Sequence, residues 1–179
     1  MVMHCWPGFW TWPHGDDRED FGMTRAERAK QNFLAGANCA QAVLCAFEEE
    51  IALDHETAMK LASGFGGGMA RMREVCGAVS GMFIAADLIL GPSGTDSKTA
   101  KDSHYAFLQN LAAEFKAETG SIICRVMLGI AADQPADSPV SEARTPAYYR
   151  KRPCAELCAL AAEILERHLR ERAAELRGN

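Results

Sequence analysis

Cysteine is the residue type with the most chemical potential in this 179-residue chain, which holds seven of them. Four of these thiols lie where the sequence predicts the first turn of four different helices. We call them the helix-start cysteines: Cys39, Cys76, Cys124 and Cys154. The first turn of a helix presents unpaired N–H groups and the positive end of the helix dipole, which together favour a thiolate. The pattern therefore predicts thiols of lowered pKa that could bind a metal or exchange electrons.

The other three cysteines carry weaker signals. Cys45 lies six residues after Cys39, roughly 120° around the helix, so it faces elsewhere and is predicted to be structural. Cys158 follows Cys154 by one turn on the same face, which makes it a core thiol or a neighbour of the site. Cys5 lies in the N-terminal leader. Among the histidines, His55 has no partnered Ser or Cys motif and is predicted to be a solvated surface residue.

Glycines are concentrated around Cys76, in the run GFGGGMARMREVCGAVSG at 64–81. Gly66 and Gly67 allow a tight turn and bring bare N–H groups close to a ligand. Gly77 and Gly81 leave one face of the following helix without side chains, so that a second helix or an inorganic cofactor can approach its backbone. We predict that these four glycines contribute to cofactor binding. The run does not end in Lys-Ser/Thr and follows no strand, so it is not a phosphate-binding P-loop.

Helical signals dominate the elements that must position these residues. Thr24 with Glu27, and Asn38 with Gln41, form two capping boxes. The predicted helices cover about 24–35, 38–47, 54–63, 76–90, 97–119, 121–128 and 153–176, and 131–145 is predicted as a loop. No strand alternation of useful length occurs. We therefore predict an all-α, single-domain bundle of six to seven helices with a glycine-rich loop at 64–68, in which the four helix starts can meet at one end.

Composition limits the class of protein. The chain has a net charge of −5 and no cluster of Lys and Arg, which argues against nucleic-acid binding. Its longest apolar stretch, 79–90, is too short to span a membrane and contains Asp87. No secretory leader is visible, and an odd number of cysteines suits a reducing compartment. We expect a cytoplasmic protein without membrane partners.

The N-terminal leader has a different composition from the rest. Residues 1–20 contain all three tryptophans, and we predict that they form an aromatic-rich arm. Such an arm packs on the parent domain or on the second subunit of a homodimer. Residues 21–179 form the helical domain. His4, Cys5 and His14 of the arm are expected to bind metal only adventitiously.

The cysteine and glycine framework resembles a known family. The framework consists of Cys39 in NCAQAVLCAF, the run GFGGG, CGAVSG at 76–81, Cys124 in GSIICRVMLG and Cys154 in RPCAELCALAAEIL. Over roughly residues 24–170 it resembles the C_GCAxxG_C_C family of redox-active proteins. One departure is that the GCA of the family pattern reads CGA here, with Val75 before Cys76. The resemblance implies an all-helical fold similar to the helical domain of split-Soret cytochromes c, to which a four-cysteine iron–sulfur centre is attributed. It further implies that the helix-start cysteines bind such a centre. No haem c is expected, because no C-x-x-C-H sequence is present.

Three interpretations follow from these observations. The first is an iron–sulfur protein that transfers electrons to an unknown redox partner, with Arg125 or Arg152 neutralising the cluster. The second is a metal-free thiol–disulfide protein, whose cysteine pair would form across helices because no C-x-x-C is present. The third is a helical module in which four cysteines hold a structural zinc ion or are simply buried thiols. The sequence does not decide whether the protein is an enzyme.

Overall fold

The computed structural model describes residues 22–95, 97–131, 133–134 and 138–178. The predicted N-terminal arm lies outside these residues. Within them the chain forms eight α-helices, with a 3-10 turn at Cys45–Phe47 and a single bridge between Val75 and Ile123. The helices are α1 Arg25–Leu34, α2 Cys39–Leu44, α3 His55–Leu61, α4 Gly77–Leu90, α5 Lys98–Thr119, α6 Cys124–Met127, α7 Pro146–Lys151 and α8 Cys154–Gly178. The predicted all-α class is confirmed.

Local hydrogen bonds fix the first two helix starts as predicted. The Thr24 hydroxyl accepts from the Glu27 N–H at 3.2 Å, and the Glu27 carboxylate accepts from the Thr24 N–H at 2.8 Å. Asn38 and Gln41 repeat the arrangement at 3.0 and 2.9 Å. Each capping box satisfies two N–H groups that a helix would otherwise leave unpaired. The second box holds the backbone directly before Cys39.

The core forms where α8 packs along α1 and where α2 packs on α4. A Cβ added to Gly81 would lie 2.5 Å from the Ala40 carbonyl oxygen, so only glycine permits this approach of α2 to α4. Gly81 therefore sets the spacing of the two helices that begin at Cys39 and Cys76. The largest fully buried side chains of the core are Phe33, Phe47, Phe115, Leu44 and Met82. No helix in the described part of the chain is long and apolar enough to cross a membrane.

Two predicted segments differ from the structure. The helix predicted over 121–128 is shorter, because the Ser121 hydroxyl accepts from the Ile123 N–H at 3.0 Å and holds a turn before α6 begins. The loop predicted over 131–145 is followed by α7, which the sequence pattern did not indicate. The Thr145 hydroxyl starts that helix by accepting from the Tyr148 N–H at 3.2 Å.

Candidate metal centre

The four helix-start cysteines line one cavity of about 380 Å³. Cys39, Cys124 and Cys154 are the first residues of α2, α6 and α8, and Cys76 directly precedes α4. Three of the four are buried, and Cys39 is partly exposed. The structure thus brings together four thiols that are separated by up to 115 residues in the chain.

The sulfur atoms of these thiols are not packed against one another as a single group. In the described residues, one group of three His, Cys, Asp or Glu ligand atoms lies within 4.8 Å of one another, and it contains none of these four thiols. No three of the four sulfurs are therefore that close together. Four thiolates around a single zinc ion would lie about 3.8 Å apart, given zinc–sulfur bonds of about 2.3 Å in a tetrahedron. The cavity between the thiols therefore has room for a group larger than one ion.

Glycine backbone forms part of the cavity wall. Gly66, Gly67 and Gly77 line the cavity, whereas Gly81 is not among the lining residues and packs against Ala40 instead. The sequence places Gly68 in the glycine-rich loop at 64–68, where bare N–H groups are expected to approach a ligand, but not among the four glycines predicted to contribute to cofactor binding. Its φ is +71°, and an added Cβ would lie 2.6 Å from the Cys124 Cβ.

A left-handed turn follows these glycines. Five consecutive residues, 67–71, have φ between 48° and 71°, and Arg73 has φ of 63°. Of these, only Gly67 and Gly68 are glycine, and a left-handed backbone costs other residues about 1–2 kcal/mol each. The turn is held by hydrogen bonds from the Ala70 N–H to the Gly64 carbonyl, at 2.8 Å, and from the Glu74 N–H to the Gly68 carbonyl, at 3.0 Å.

Positive charge surrounds the thiols. Four arginines line the cavity, and Glu142 is the one acidic residue that lines it in the described part of the chain. The arginines are Arg71, Arg73, Arg144 and Arg152. Of the two arginines that the sequence suggested, Arg152 lines the cavity and Arg125 does not. The cavity is therefore suited to a group with negative charge.

The chain segment 138–145, predicted as a loop, forms one wall of the cavity. The Arg144 guanidinium donates to the carbonyls of Phe33 and Ala37, at 2.8 and 3.0 Å. Glu142 accepts from Arg152, which lies two residues before Cys154. These contacts attach the segment to the end of α1 and to the start of α8.

The thiols do not have the lowered pKa values that the helix starts predict. Burial raises the pKa of Cys76 from 9.0 to about 12, although the N–H groups of Ala78 and Val79 lower it. Burial also raises the pKa of Cys124, against the opposing effect of the neighbouring Arg73 guanidinium. The prediction was wrong because the loss of water around a buried thiolate outweighs the few N–H groups of one helix turn.

Cys39 and Cys154 are directly coupled. The hydrogen bond with the Cys39 thiol raises the pKa of Cys154, and burial raises it further. For Cys39, the hydrogen bond with Cys154 lowers the pKa, but the hydrogen bond with Cys158 and burial together raise it well above the ordinary value. At neutral pH all these thiols hold their protons unless a metal displaces them.

The structure also places the two remaining cysteines that it describes. Cys158 is fully buried, does not line the cavity, and donates to the Cys39 carbonyl at 3.7 Å. It is thus a direct neighbour of the site, one of the two roles predicted for it. Cys45 is buried outside the cavity, beside Glu48 and His55. His55 is therefore not a solitary surface residue, because its imidazole contacts the Glu48 carboxylate.

Comparison with known proteins gives one match. Residues 37–168 match the model of a family described as "Putative redox-active protein (C_GCAxxG_C_C)". The matched range includes all four helix-start cysteines and the glycine run between 64 and 81. No curated protein and no solved structure matches the chain.

Proposed function

Because the chain belongs to the C_GCAxxG_C_C family of redox-active proteins, we propose that its helix-start cysteines bind an iron–sulfur cluster for electron transfer. One observation carries this proposal: four thiols from four separate helix starts line the same cavity. Four cysteine thiolates are the usual ligands of [2Fe–2S] and [4Fe–4S] clusters.

The size of the site supports a cluster over a single zinc ion. The cavity of about 380 Å³ lies within the range of small-molecule sites. A cluster fills more of this space than one zinc ion, whose four sulfurs would lie only about 3.8 Å apart. Backbone at Gly66, Gly67 and Gly77 leaves the cavity wall free of side chains beside the thiols.

Charge and polarity also suit a cluster. When bound, such a cluster carries electrons one at a time. The cysteine residues give up their protons to bind it, and Arg73 beside Cys124 balances the negative charge of the thiolates. The N–H groups of Ala78 and Val79 face the Cys76 sulfur and stabilise its thiolate. Apolar side chains in the wall, such as Phe33 and Leu157, exclude water from the site.

A reducing compartment fits this function. All six cysteines that the structure describes are present as thiols. We propose the cytoplasm as the setting and a redox protein or small electron carrier as the partner. Nucleic acid and membranes are not part of the proposal.

The test is metal analysis of anaerobically purified full-length protein, wild type and Cys76→Ser. We expect stoichiometric iron and acid-labile sulfide in the wild type and their loss in Cys76→Ser. Cys5→Ser, which changes a leader thiol outside the family match, is the control and should keep both elements. Zinc without sulfide would make the site structural, and neither element after reconstitution would overturn metal binding altogether.

The contact between Cys39 and Cys154 favours a second candidate, metal-free dithiol chemistry. In that reaction the two thiols form a disulfide and release two protons and two electrons, which reduce a disulfide substrate to two thiols. The raised pKa of both thiols argues against it, because the thiolate is the reacting species. Peptide mapping of metal-free protein after treatment with oxidised glutathione tests it. A Cys39–Cys154 disulfide in high yield would favour this candidate, and unmodified thiols would exclude it.

A further inference from the structure

A second group of metal-ligand side chains lies outside the cysteine cavity. The Cys45 sulfur, a Glu48 carboxylate oxygen and a His55 ring nitrogen all lie within 4.8 Å of one another. None of the three residues lines the cavity of the helix-start cysteines. This cluster is thus separate from the proposed redox site.

Local structure explains how these residues meet. Cys45 begins the 3-10 turn, and Glu48 directly follows that turn. Side chains three residues apart eclipse one another in a 3-10 helix, so Cys45 and Glu48 point the same way. His55 is the first residue of α3, whose start is fixed by the Asp54 carboxylate accepting from the Thr57 N–H at 3.0 Å. Two short elements therefore supply the three ligands.

The donor set has the chemistry of a zinc site. Thiolate, imidazole and carboxylate are all zinc ligands, whereas magnesium and calcium select oxygen ligands and disfavour sulfur. Three protein ligands with one open position are typical of zinc sites that keep a bound water. The thiol is buried, while the side chains of His55 and Glu48 are 38% and 27% exposed, so an ion can enter from solvent.

The ion pair between His55 and Glu48 would by itself be an ordinary surface contact. A matched pair occurs at His168 and Glu114, where the imidazole and carboxylate are 2.9 Å apart. The two pairs differ because a cysteine lies beside the His55 pair, whereas the His168 pair is not part of any three-ligand group in the described residues. The buried thiol beneath the His55 pair supplies the third donor.

We propose that Cys45, Glu48 and His55 bind one Zn²⁺ ion, with water as the fourth ligand. Binding displaces the proton of the Cys45 thiol and requires a neutral His55. The imidazole and carboxylate, which touch each other in the metal-free chain, move apart to about 3.3 Å around the ion. Their partial exposure leaves room for that movement.

The experiment uses the full-length chain, stripped of metal and kept reduced, titrated with Zn²⁺ against a competing chelator. We expect His55→Gln and Glu48→Gln each to lower the affinity for one equivalent of zinc by at least ~100-fold, because losing a ligand costs more affinity than losing an outer-shell partner. His168→Gln is the control and should bind as the wild type does. If His55→Gln and Glu48→Gln bind zinc as tightly as His168→Gln does, the proposal is overturned.

Cobalt substitution separates this site from the cysteine cavity. The cobalt spectra are therefore compared in a Cys76→Ser background, which disables the cavity. Co²⁺ bound through Cys45 should give thiolate-to-cobalt absorption in Cys76→Ser, and adding Cys45→Ala should abolish it. Adding His55→Gln instead keeps the core thiol and should also abolish the tetrahedral cobalt spectrum, even if the Cys45→Ala variant fails to fold. If Cys76→Ser alone already lacks the spectrum, the metal belongs to the cavity and the second site is refuted.

Discussion

Arg73 is a charged side chain that is only 4% exposed, and no other charged residue in the described part of the chain is as buried. A buried guanidinium requires partners, and Arg73 has them in the Cys124 thiol and in the Gly67 carbonyl at 3.5 Å. Its backbone is left-handed, with φ of 63°. A buried positive charge beside thiolates favours the more negative, reduced state of any group they bind.

Replacing Arg73 with Gln should lower the reduction potential of the loaded protein. Loss of one nearby positive charge is worth roughly 1–2 kcal/mol, which for one electron is about 40–90 mV. Anaerobic redox titration followed by absorbance measures the shift. Arg125→Gln is the control, because Arg125 does not line the cavity, and its potential should be unchanged. Equal potentials in Arg73→Gln and wild type would contradict the proposed role of Arg73.

Gly68→Ala should weaken cofactor binding. Its new Cβ would lie 2.6 Å from the Cys124 Cβ and 2.9 Å from the Arg73 Cα, at a φ of +71° that disfavours any side chain. Either Cys124 or the turn must move, so we expect iron content to fall with only part of the fold lost. Gly64→Ala is the control in the same loop, since nothing lies within 4 Å of its Cβ. Iron retained in Gly68→Ala would show that Cys124 is not required.

At the scale of elements, the turn over 67–71 stores strain that other contacts must offset. Met69, Ala70 and Arg71 are all left-handed without being glycine. Backbone strain of this kind persists only where surrounding structure imposes it, and it often occurs at functional sites. Here the turn carries Gly68 and Arg73 to the Cys124 side of the cavity.

Ala70→Gly should therefore stabilise the protein. Relief of left-handed strain gains about 1–2 kcal/mol, and the added freedom of the unfolded chain costs about 0.4–1 kcal/mol. We expect the free energy of unfolding in urea to rise by about 0.5–1 kcal/mol. Ala106→Gly, on the exposed face of α5, is the control and should lower it by a similar amount. A loss of stability in both variants would show that the left-handed backbone at Ala70 is not strained.

Helix starts were predictable because their determinants are local. Thr24 with Glu27, Asn38 with Gln41, and Asp54 form their caps within three residues of sequence. Of these three helices only α2 carries a helix-start cysteine, and its capping box holds the backbone directly before Cys39. The starts of α4 and α6 have no side-chain cap. Even the spacing of α2 and α4 had a local signal, because the glycine that permits it is visible as a four-residue repeat with Gly77.

Features that depend on distant residues could not be predicted. Arg144 reaches the cavity because it donates to the Phe33 carbonyl, 111 residues away. Met69 and Ala70 are left-handed because of the contacts that hold the turn, and no propensity indicates this. The prediction of lowered thiol pKa values was wrong for the same reason, since the burial of each thiol is set by the whole core and not by one helix turn.

At the scale of the whole molecule, charge is distributed unevenly. The chain has a net charge of −5, yet four arginines and one glutamate line the cavity. An acidic exterior with a positive cavity favours a negatively charged group at the thiols over one at the outer surface. Folding itself concentrates this charge, because Arg71 and Arg152 lie 81 positions apart in sequence.

Burial of the thiols also makes the stability of the metal-free protein depend on pH. The pKa of Cys76 is raised from 9.0 to about 12 in the folded state, so the folded chain holds this proton over a range in which the unfolded chain loses it. The contribution of this thiol to the free energy of unfolding is complete below pH 9. It is lost as the pH rises toward 12, by about 1.4 kcal/mol per pH unit.

Urea unfolding of chelated, reduced protein at about pH 8.5 and about pH 10.5 measures this dependence. Cys76→Ala removes one titrating thiol, so its stability should fall less steeply than that of the wild type. The difference in unfolding free energy between the two proteins should therefore shrink as the pH rises. Cys5→Ser, in the leader, is the control and should follow the wild-type slope. Parallel pH profiles for wild type and Cys76→Ala would show that the Cys76 thiol keeps an ordinary pKa and is accessible to water.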